Sequence, residues 1–248
     1  MEIYAATEKG LREKNEDSYV VIQLRTKSSE SVIFVVCDGM GGHEGGEIAS
    51  EIGCKSFISS ILGNVMNSEP DEESVKAAIE DANKAVIQAQ STYNANMGTT
   101  ITSGVIKGCR LFIANAGDTE CLLIRDGNVR KLTRNHSLAG LLEEKGVKDA
   151  EQNPLLRSKL TSFLGKESLD IHYDEVELKE GDIILTASDG LFEGIKKSDI
   201  LKILGMSDED KAKLLCDSAL KNGSMDNITV VLIKVSSFSG AKTLIWRG

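Results

Sequence analysis

Five acidic spots in this chain share one placement: each stands where an apolar, strand-like run starts or stops. Asp38 follows Val32-Ile33-Phe34-Val35-Val36-Cys37, and Asp189 follows Ile183-Ile184-Leu185-Thr186-Ala187-Ser188. Glu16 and Asp17 precede the run 18–25, Asp118 comes after the run 110–115, and Asp226 precedes the run 228–234. Runs this rich in Val and Ile read as strands buried on both faces. A carboxylate at such an end is held at the rim of a core, and the glycines after Asp38 and Asp189 let the backbone turn beside a ligand. Hard cations such as Mg²⁺ and Mn²⁺ take oxygen ligands of this kind. If the strands bring these spots to one edge, each pair of charges about 4 Å apart repels by about 1 kcal/mol in water and about 4 kcal/mol at an effective dielectric of 20. Divalent cations make such a cluster tolerable. Two of them, about 3.5–4 Å apart, can hold and deprotonate a water for in-line attack on phosphorus.

An Asp-Gly pair is also the strongest two-residue hairpin signal, so at this point both readings of Asp38-Gly39 and Asp189-Gly190 stand. Asp126-Gly127 shows the hairpin version: its flanks, 121–125 and 128–132, are short and mixed with charge. Asp38 and Asp189 are followed by glycine-rich or helix-starting sequence instead of a return strand.

The elements that must position these residues are short. Strand-like runs at 2–7, 18–25 and 32–37 lead into two helical stretches, 46–62 and 72–93. In the second, Val75, Ala78, Ile79, Ala82, Val86 and Ala89 share one face at helical spacing, which is a core-packing stripe. Ser68-Glu69-Pro70-Asp71 supplies breaker and capping residues ahead of it. Runs at 99–107, 110–115, 120–125 and 128–132, with reversals at Gly108 and Asp126-Gly127, are expected to form one antiparallel meander. The polar segment 134–166 holds a short helical piece at 137–145. Strands at 172–177 and 182–187, helices near 198–204 and 208–220, and a strand at 228–234 follow. Strands, two helices, strands and two more helices suggest an α+β fold of two stacked antiparallel sheets, each covered by a helix pair. Residues 1–235 read as one domain and 236–248 as a C-terminal tail.

Composition excludes several classes. With 29 basic and 38 acidic residues the net charge is −9, and no basic run marks a nucleic-acid footprint. No apolar stretch has transmembrane length and the first residues lack a signal-peptide pattern, so a soluble, cytoplasmic protein is expected, off the membrane. The five cysteines are odd in number, widely spaced and without a Cys-x-x-Cys pair. Cys37 neighbours Asp38 yet faces the other way if the strand persists. Three scattered histidines, His43, His136 and His172, make a poor zinc site. No Gly-x-Ser-x-Gly elbow or Walker loop occurs, and Gly39-Met40-Gly41 breaks a dinucleotide fingerprint at Glu44.

Seven motifs run in order along nearly the whole chain. They are Gly10-Leu11-Arg12-Glu13-Lys14-Asn15-Glu16-Asp17, Asp38-Gly39-Met40-Gly41-Gly42-His43, Gly98-Thr99-Thr100 and Ala116-Gly117-Asp118-Thr119, then His136-Ser137-Leu138, Ser188-Asp189-Gly190-Leu191 and Asp226-Asn227-Ile228-Thr229. Together they resemble the PPM-type, or protein phosphatase 2C, serine/threonine phosphatases in their bacterial branch. The resemblance implies a four-layer α/β/β/α sandwich and hydrolysis of phosphoserine and phosphothreonine by direct attack of a water bridging two Mn²⁺ or Mg²⁺ ions. It implies Asp38 as the bridging ligand, with the Gly39 carbonyl, and Asp189 and Asp226 as ligands completing the first ion's shell. Glu16 matches a position reaching the second ion through water, with Asp17 and Asn227 in support. Asp118, with Asp189, matches a weaker third metal site, and Arg12 matches the arginine that binds the substrate phosphate, where a forked guanidinium suits paired oxygens.

Three departures stand out. Met40 replaces a histidine proposed as general acid in eukaryotic members, which leaves a metal-bound water as the preferred proton donor. Glu120 stands where an arginine is common, and Asn153-Pro154-Leu155-Leu156-Arg157 is a loose His-Pro-x-x-Arg pattern in a flap at 134–166. The expected partners are phosphorylated proteins and an opposing Ser/Thr kinase, and the expected state is a monomer. A non-catalytic module that binds phosphoproteins through the same fold is the alternative.

Overall fold

The computed structural model describes residues 1–25, 30–41, 45–68, 70–207, 210–236 and 244–247. Gly42, His43, Glu44, Glu69 and most of the tail lie outside the described residues. The chain opens with β1 (Glu2–Glu8), β2 (Asp17–Arg25) and β3 (Glu30–Gly41). Alternation along β2 and β3 sends Tyr19, Val21, Val32, Phe34 and Val36 into one buried cluster and Ile33, Val35 and Cys37 into another. Burial on both faces is why these strands read as continuous apolar runs.

Two long helices follow, α1 (Gly45–Asn67) and α2 (Glu72–Tyr93). Asp71 caps α2 by accepting the Ser74 N–H at 2.8 Å while the Ser74 hydroxyl oxygen accepts the Asp71 N–H at 3.0 Å. Then come β4 (Met97–Thr99), β5 (Ile101–Lys107), β6 (Arg110–Ala116), β7 (Glu120–Arg125) and β8 (Asn128–Lys131). The segment beyond holds two short helices, α3 (Leu138–Glu144) and α4 (Pro154–Arg157). β9 (His172–Glu177) and β10 (Ile183–Ala187) precede α5 (Asp189–Gly194), α6 (Lys197–Leu204) and α7 (Lys211–Lys221). β11 (Ile228–Lys234) and β12 (Leu244–Arg247) finish the described chain.

The strands form two sheets, ordered β12-β2-β3-β5-β6-β9, with β4 on β3, and β1-β11-β10-β7-β8, and every pairing is antiparallel. The sheets pack face to face, joining Phe34, Val36 and Ile113 to Cys121, Ile184 and Val231. α1 and α2 cover the first sheet through Phe57, Ile61, Ile79 and Val86. The second is covered by α5, α6 and α7 through Leu191, Ile200, Leu215 and Cys216. This is the expected α+β four-layer sandwich, with one short helix more than a pair on the second sheet. Cys37, Cys54, Cys121 and Cys216 are buried, and Cys109 is exposed.

Two expectations need correction. The run of four strands is not one meander: β5 and β6 pair in the first sheet, whereas β7 and β8 pair in the second. Gly117, Asp118 and Thr119 are a crossing between sheets, not a reversal within one. Asp38 also does not end its strand, because β3 changes partner there. It pairs with β5 up to Val36↔Thr102 and with β4 from Gly39↔Thr99. The Asp126-Gly127 hairpin is present, with both residues at positive φ (52° and 75°) as its two-residue turn between β7 and β8 requires. Four residues of the tail join the first sheet as edge strand β12.

Candidate metal centre

Asp17 and Asp38 are directly opposite one another across β2 and β3, so their side chains share the face turned to the second sheet. Asp189 is the first residue of α5, just past β10, and Asp226 lies just before β11. Asp118 sits on the crossing between sheets. The antiparallel strands place all of these at one end of the sandwich, beside the loop 9–16 that links β1 to β2. Arg12, Glu16, Asp38, Gly39, Asp118, Asp189, Asp226 and Asn227 all line one open cleft of about 1150 Å³. Asp17, the remaining sequence-predicted residue, is buried beside it, 6% exposed.

Backbone contacts fix each carboxylate. The Asp38 N–H donates to Thr100 Oγ1 at 2.9 Å, while its carbonyl accepts from the Thr100 N–H and the Thr99 hydroxyl, both at 2.9 Å. Gly39 donates its N–H to the Glu16 carbonyl at 3.0 Å. Asn227 secures the loop: its Oδ1 accepts the Glu16 N–H at 2.9 Å, and its Nδ2 donates to the carbonyls of Lys9 and Lys14 at 2.8 and 2.9 Å. Glu16 lies against the first turn of α1, where a Cβ on Gly46 would come within 2.6 Å of its carboxyl carbon. Glycine at 46 therefore lets the carboxylate approach a helix N-terminus, which favours negative charge.

The cluster is starved of positive charge. Burial drives Asp38 well above the usual carboxylate range, and the charges of Asp17, Asp189, Asp118 and Asp226 add to it. Burial lifts Asp17 and Asp118 to about 7, and Asp189 to about 6 with help from Asp226. Glu16 is raised by burial despite the pull of Arg12. Asp17 Oδ2 accepts the Ser188 hydroxyl at 2.7 Å, but Oδ1 is buried with no hydrogen-bond partner. Six acidic residues face only two basic ones, Arg12 and Lys14, among the described residues lining the cleft. The donors are carboxylates and a backbone carbonyl, the oxygen set of hard divalent ions, so the residues fit such ions.

No three His, Cys, Asp or Glu side chains among the described residues are already gathered as a cage. Asp226 is paired within the cleft, its Oδ2 2.7 Å from Arg12 Nη2. That pairing raises the Arg12 pKa, chiefly through the charge of Asp226. Met40 lines the cleft, and His43 lies outside the described residues. Glu120 pairs with Lys131 at 2.5 Å, and Arg157, at the end of α4, with Glu193 at 3.2 Å.

Several positioning residues carry no role in the sequence reading although its motifs contain them. Thr100 and Thr119 share a buried hydroxyl hydrogen bond of 2.6 Å, which ties the Asp38 strand to the residue after Asp118. Ser188 Oγ accepts the Thr229 N–H at 2.9 Å while donating to Asp17. His136 is buried, and its Nδ1 accepts the Gly117 N–H at 3.2 Å, bracing the crossing that carries Asp118. Burial pushes this imidazole down to about 4, so it is neutral.

Residues 11–214 match the family model described as Protein phosphatase 2C. The chain is 30% identical over 238 residues to the serine/threonine phosphatase stp of Listeria innocua, covering 92% of this chain and 93% of that protein. Among solved structures it is similar to the serine/threonine phosphatase of S. agalactiae, at TM-score 0.82 and 28% identity over 95% of this chain and 99% of the other. It is likewise similar to the catalytic domain of the phosphatase PstP in complex with two manganese ions, at TM-score 0.78 and 27% identity over 95% and 98% of the two chains.

Proposed function

We propose that this chain, which belongs to the protein phosphatase 2C family and is a metal-dependent serine/threonine protein phosphatase, works through the acidic cleft at the end of its sandwich. Asp38, with the Gly39 carbonyl, would be the ligand shared by two Mn²⁺ or Mg²⁺ ions. Asp189 and Asp226 would complete the first shell, Glu16 would serve the second ion with Asp17 behind it, and Asp118 with Asp189 would hold a weaker third. When bound, such ions offset the charge of the phosphate and make a water acidic enough to lose its proton near neutral pH. The observation that carries this reading is the convergence of carboxylates from both sheets with too little positive charge beside them.

The chain's own residues bind and orient. Arg12, 59% exposed at its side chain, can swing from Asp226 to the substrate phosphate and grip two oxygens with its fork. Asn227 keeps the loop that carries Arg12 and Glu16 in place. Met40 has no proton to give, so the leaving seryl or threonyl oxygen is protonated by water in the cleft. The substrates are phosphorylated proteins, and we place an opposing Ser/Thr kinase and a cytoplasmic setting in the same proposal. No described helix is long and apolar enough to cross a membrane.

The test is hydrolysis of a phosphothreonine peptide with EDTA, then with Mn²⁺ restored. Asp38→Ala, Asp189→Ala and Asp226→Ala should each remove most of the Mn²⁺-dependent rate. Full activity in any of them would sink the ligand assignment. Binding of the peptide without turnover by the Mn²⁺-loaded wild type would favour the non-catalytic module.

A further inference from the structure

The cleft has two unlike walls. The loop 9–16 and the strand ends supply its charged side chains, whereas the wall made by the end of β3, the first turn of α1, the end of α2 and the chain after α4 presents Met40, Ile48, Tyr93, Ala95 and Leu160. Tyr93 is 57% exposed although it lines the cleft. Met40 follows Asp38 by two residues on one strand, about 7 Å at strand spacing, so this wall begins beside the metal site.

The wall is held in shape before any substrate arrives. Gln90, in the last turn of α2, donates to the Met97 carbonyl at 2.6 Å and to the Gly165 carbonyl at 2.9 Å. Asn83 accepts the Gly165 N–H at 2.7 Å and donates to the Lys166 carbonyl at 2.9 Å. Thr99 and Leu164 exchange backbone hydrogen bonds of 3.1 and 2.8 Å. α2, β4 and the segment behind Leu160 therefore form one fixed surface.

We propose that this wall seats an apolar or aromatic side chain next to the phosphoserine or phosphothreonine, so that the enzyme selects phosphoproteins carrying such a neighbour. The proposal rests on the phosphatase reading above and names the substrate class within it. An apolar neighbour removes the exposed faces of Tyr93 and Ile48 from water. A charged neighbour is desolvated there, and Met40, Ile48, Tyr93, Ala95 and Leu160, the described side chains of that wall, bring no charge to offset it. Tyr93 is suited to the contact because a large ring with two rotatable bonds loses little entropy on being covered.

The experiment compares phosphothreonine peptides that differ only in the two residues flanking phosphothreonine, set to Phe, Gly, Glu or Lys. kcat/KM is read with Mn²⁺ for the wild type, Tyr93→Ala and Tyr93→Phe. The wild type should favour the Phe peptide over the Gly, Glu and Lys peptides by about fivefold or more, as expected from partial burial of one aromatic side chain. That ratio should fall toward one in Tyr93→Ala and survive in Tyr93→Phe. Equal kcat/KM across the wild-type series, or an unchanged ratio in Tyr93→Ala, overturns the proposal. Failure of every peptide to turn over strikes the phosphatase reading instead. The wall is then judged by peptide affinity from fluorescence anisotropy, where the same ranking supports it and its loss overturns it.

Discussion

Arg12 and Asp226 meet at 2.7 Å through a side chain that is mostly in solvent, and exposed pairs of this kind contribute little net stability. The contact matters for what it withholds: while it lasts, Asp226 is unavailable to an ion and Arg12 to a phosphate. An ion at Asp226 would weaken the pair and free the guanidinium, so metal and substrate binding should be linked through this one residue. Arg12→Ala is therefore expected to bind Mn²⁺ at least as tightly as the wild type by titration calorimetry, while KM for a phosphopeptide rises about tenfold or more, as loss of a charge-assisted fork should produce. Weaker Mn²⁺ binding would mean that Arg12 holds Asp226 in place instead of competing for it. A second single-residue test lies beneath the cleft. Thr119→Val deletes the hydroxyl that meets Thr100 Oγ1 at 2.6 Å and leaves a buried polar atom short of a partner. Urea unfolding should show a loss of about 1–3 kcal/mol, with Thr119→Ser restoring it.

Elements decide how closely those residues approach. Position 46 is the second residue of α1, and the methyl group of an alanine there would stand 2.6 Å from the Glu16 carboxyl carbon. The carboxylate is the flexible partner, so Gly46→Ala should keep its melting temperature while its Mn²⁺ dependence shifts to higher concentration. An unchanged Mn²⁺ dependence would show that Glu16 has no part in holding an ion. Much of this scale was legible in the sequence. The α2 stripe from Val75 to Ala89, the Asp126-Gly127 turn and the inward-facing Cys37 follow from local periodicity and turn chemistry. The split of the expected meander was not legible. β6 and β7 are both apolar runs separated by a short glycine-containing link, and nothing within a run says which sheet it joins. The passage of β3 through Asp38 is hidden for a related reason, since a change of partner from β5 to β4 leaves no mark on the strand that changes. α5 has only six residues, too few to show a helical period. The acidic residues that line the cleft could be picked out because a strand edge next to glycine is a local pattern. Thr100, Thr119 and Ser188 act across strands, so their motifs were visible while their work was not.

At the scale of the whole molecule, the acidic cluster spans the joint between the sheets. Glu16, Asp17 and Asp38 belong to the side of the first sheet, Asp189 and Asp226 to the second, and Asp118 to the crossing between them. Charging the cluster therefore pushes the two halves of the sandwich apart, and a shared cation draws them together. Asp17 and Asp118 titrate near 7 and Asp189 near 6 in the folded chain, against an ordinary value of 3.8. Below 3.8 each group is protonated whether the chain is folded or not. Between 3.8 and about 6–7 only the folded chain keeps these protons, so the stability they represent fades as pH rises through that window and is gone above it. Protons and divalent ions compete for the same oxygens, which gives Mn²⁺ the opposite trend. For EDTA-treated protein, excess Mn²⁺ should raise Tm little at pH 5 and much more at pH 8. The gain should approach about 2.7 kcal/mol of stabilisation once free Mn²⁺ is a hundred times its Kd. Alanine at Asp38 should flatten that difference by removing the ligand proposed to be shared by the two ions. A gain of equal size at both pH values in the wild type would mean that Mn²⁺ acts at some site other than the joint between the sheets.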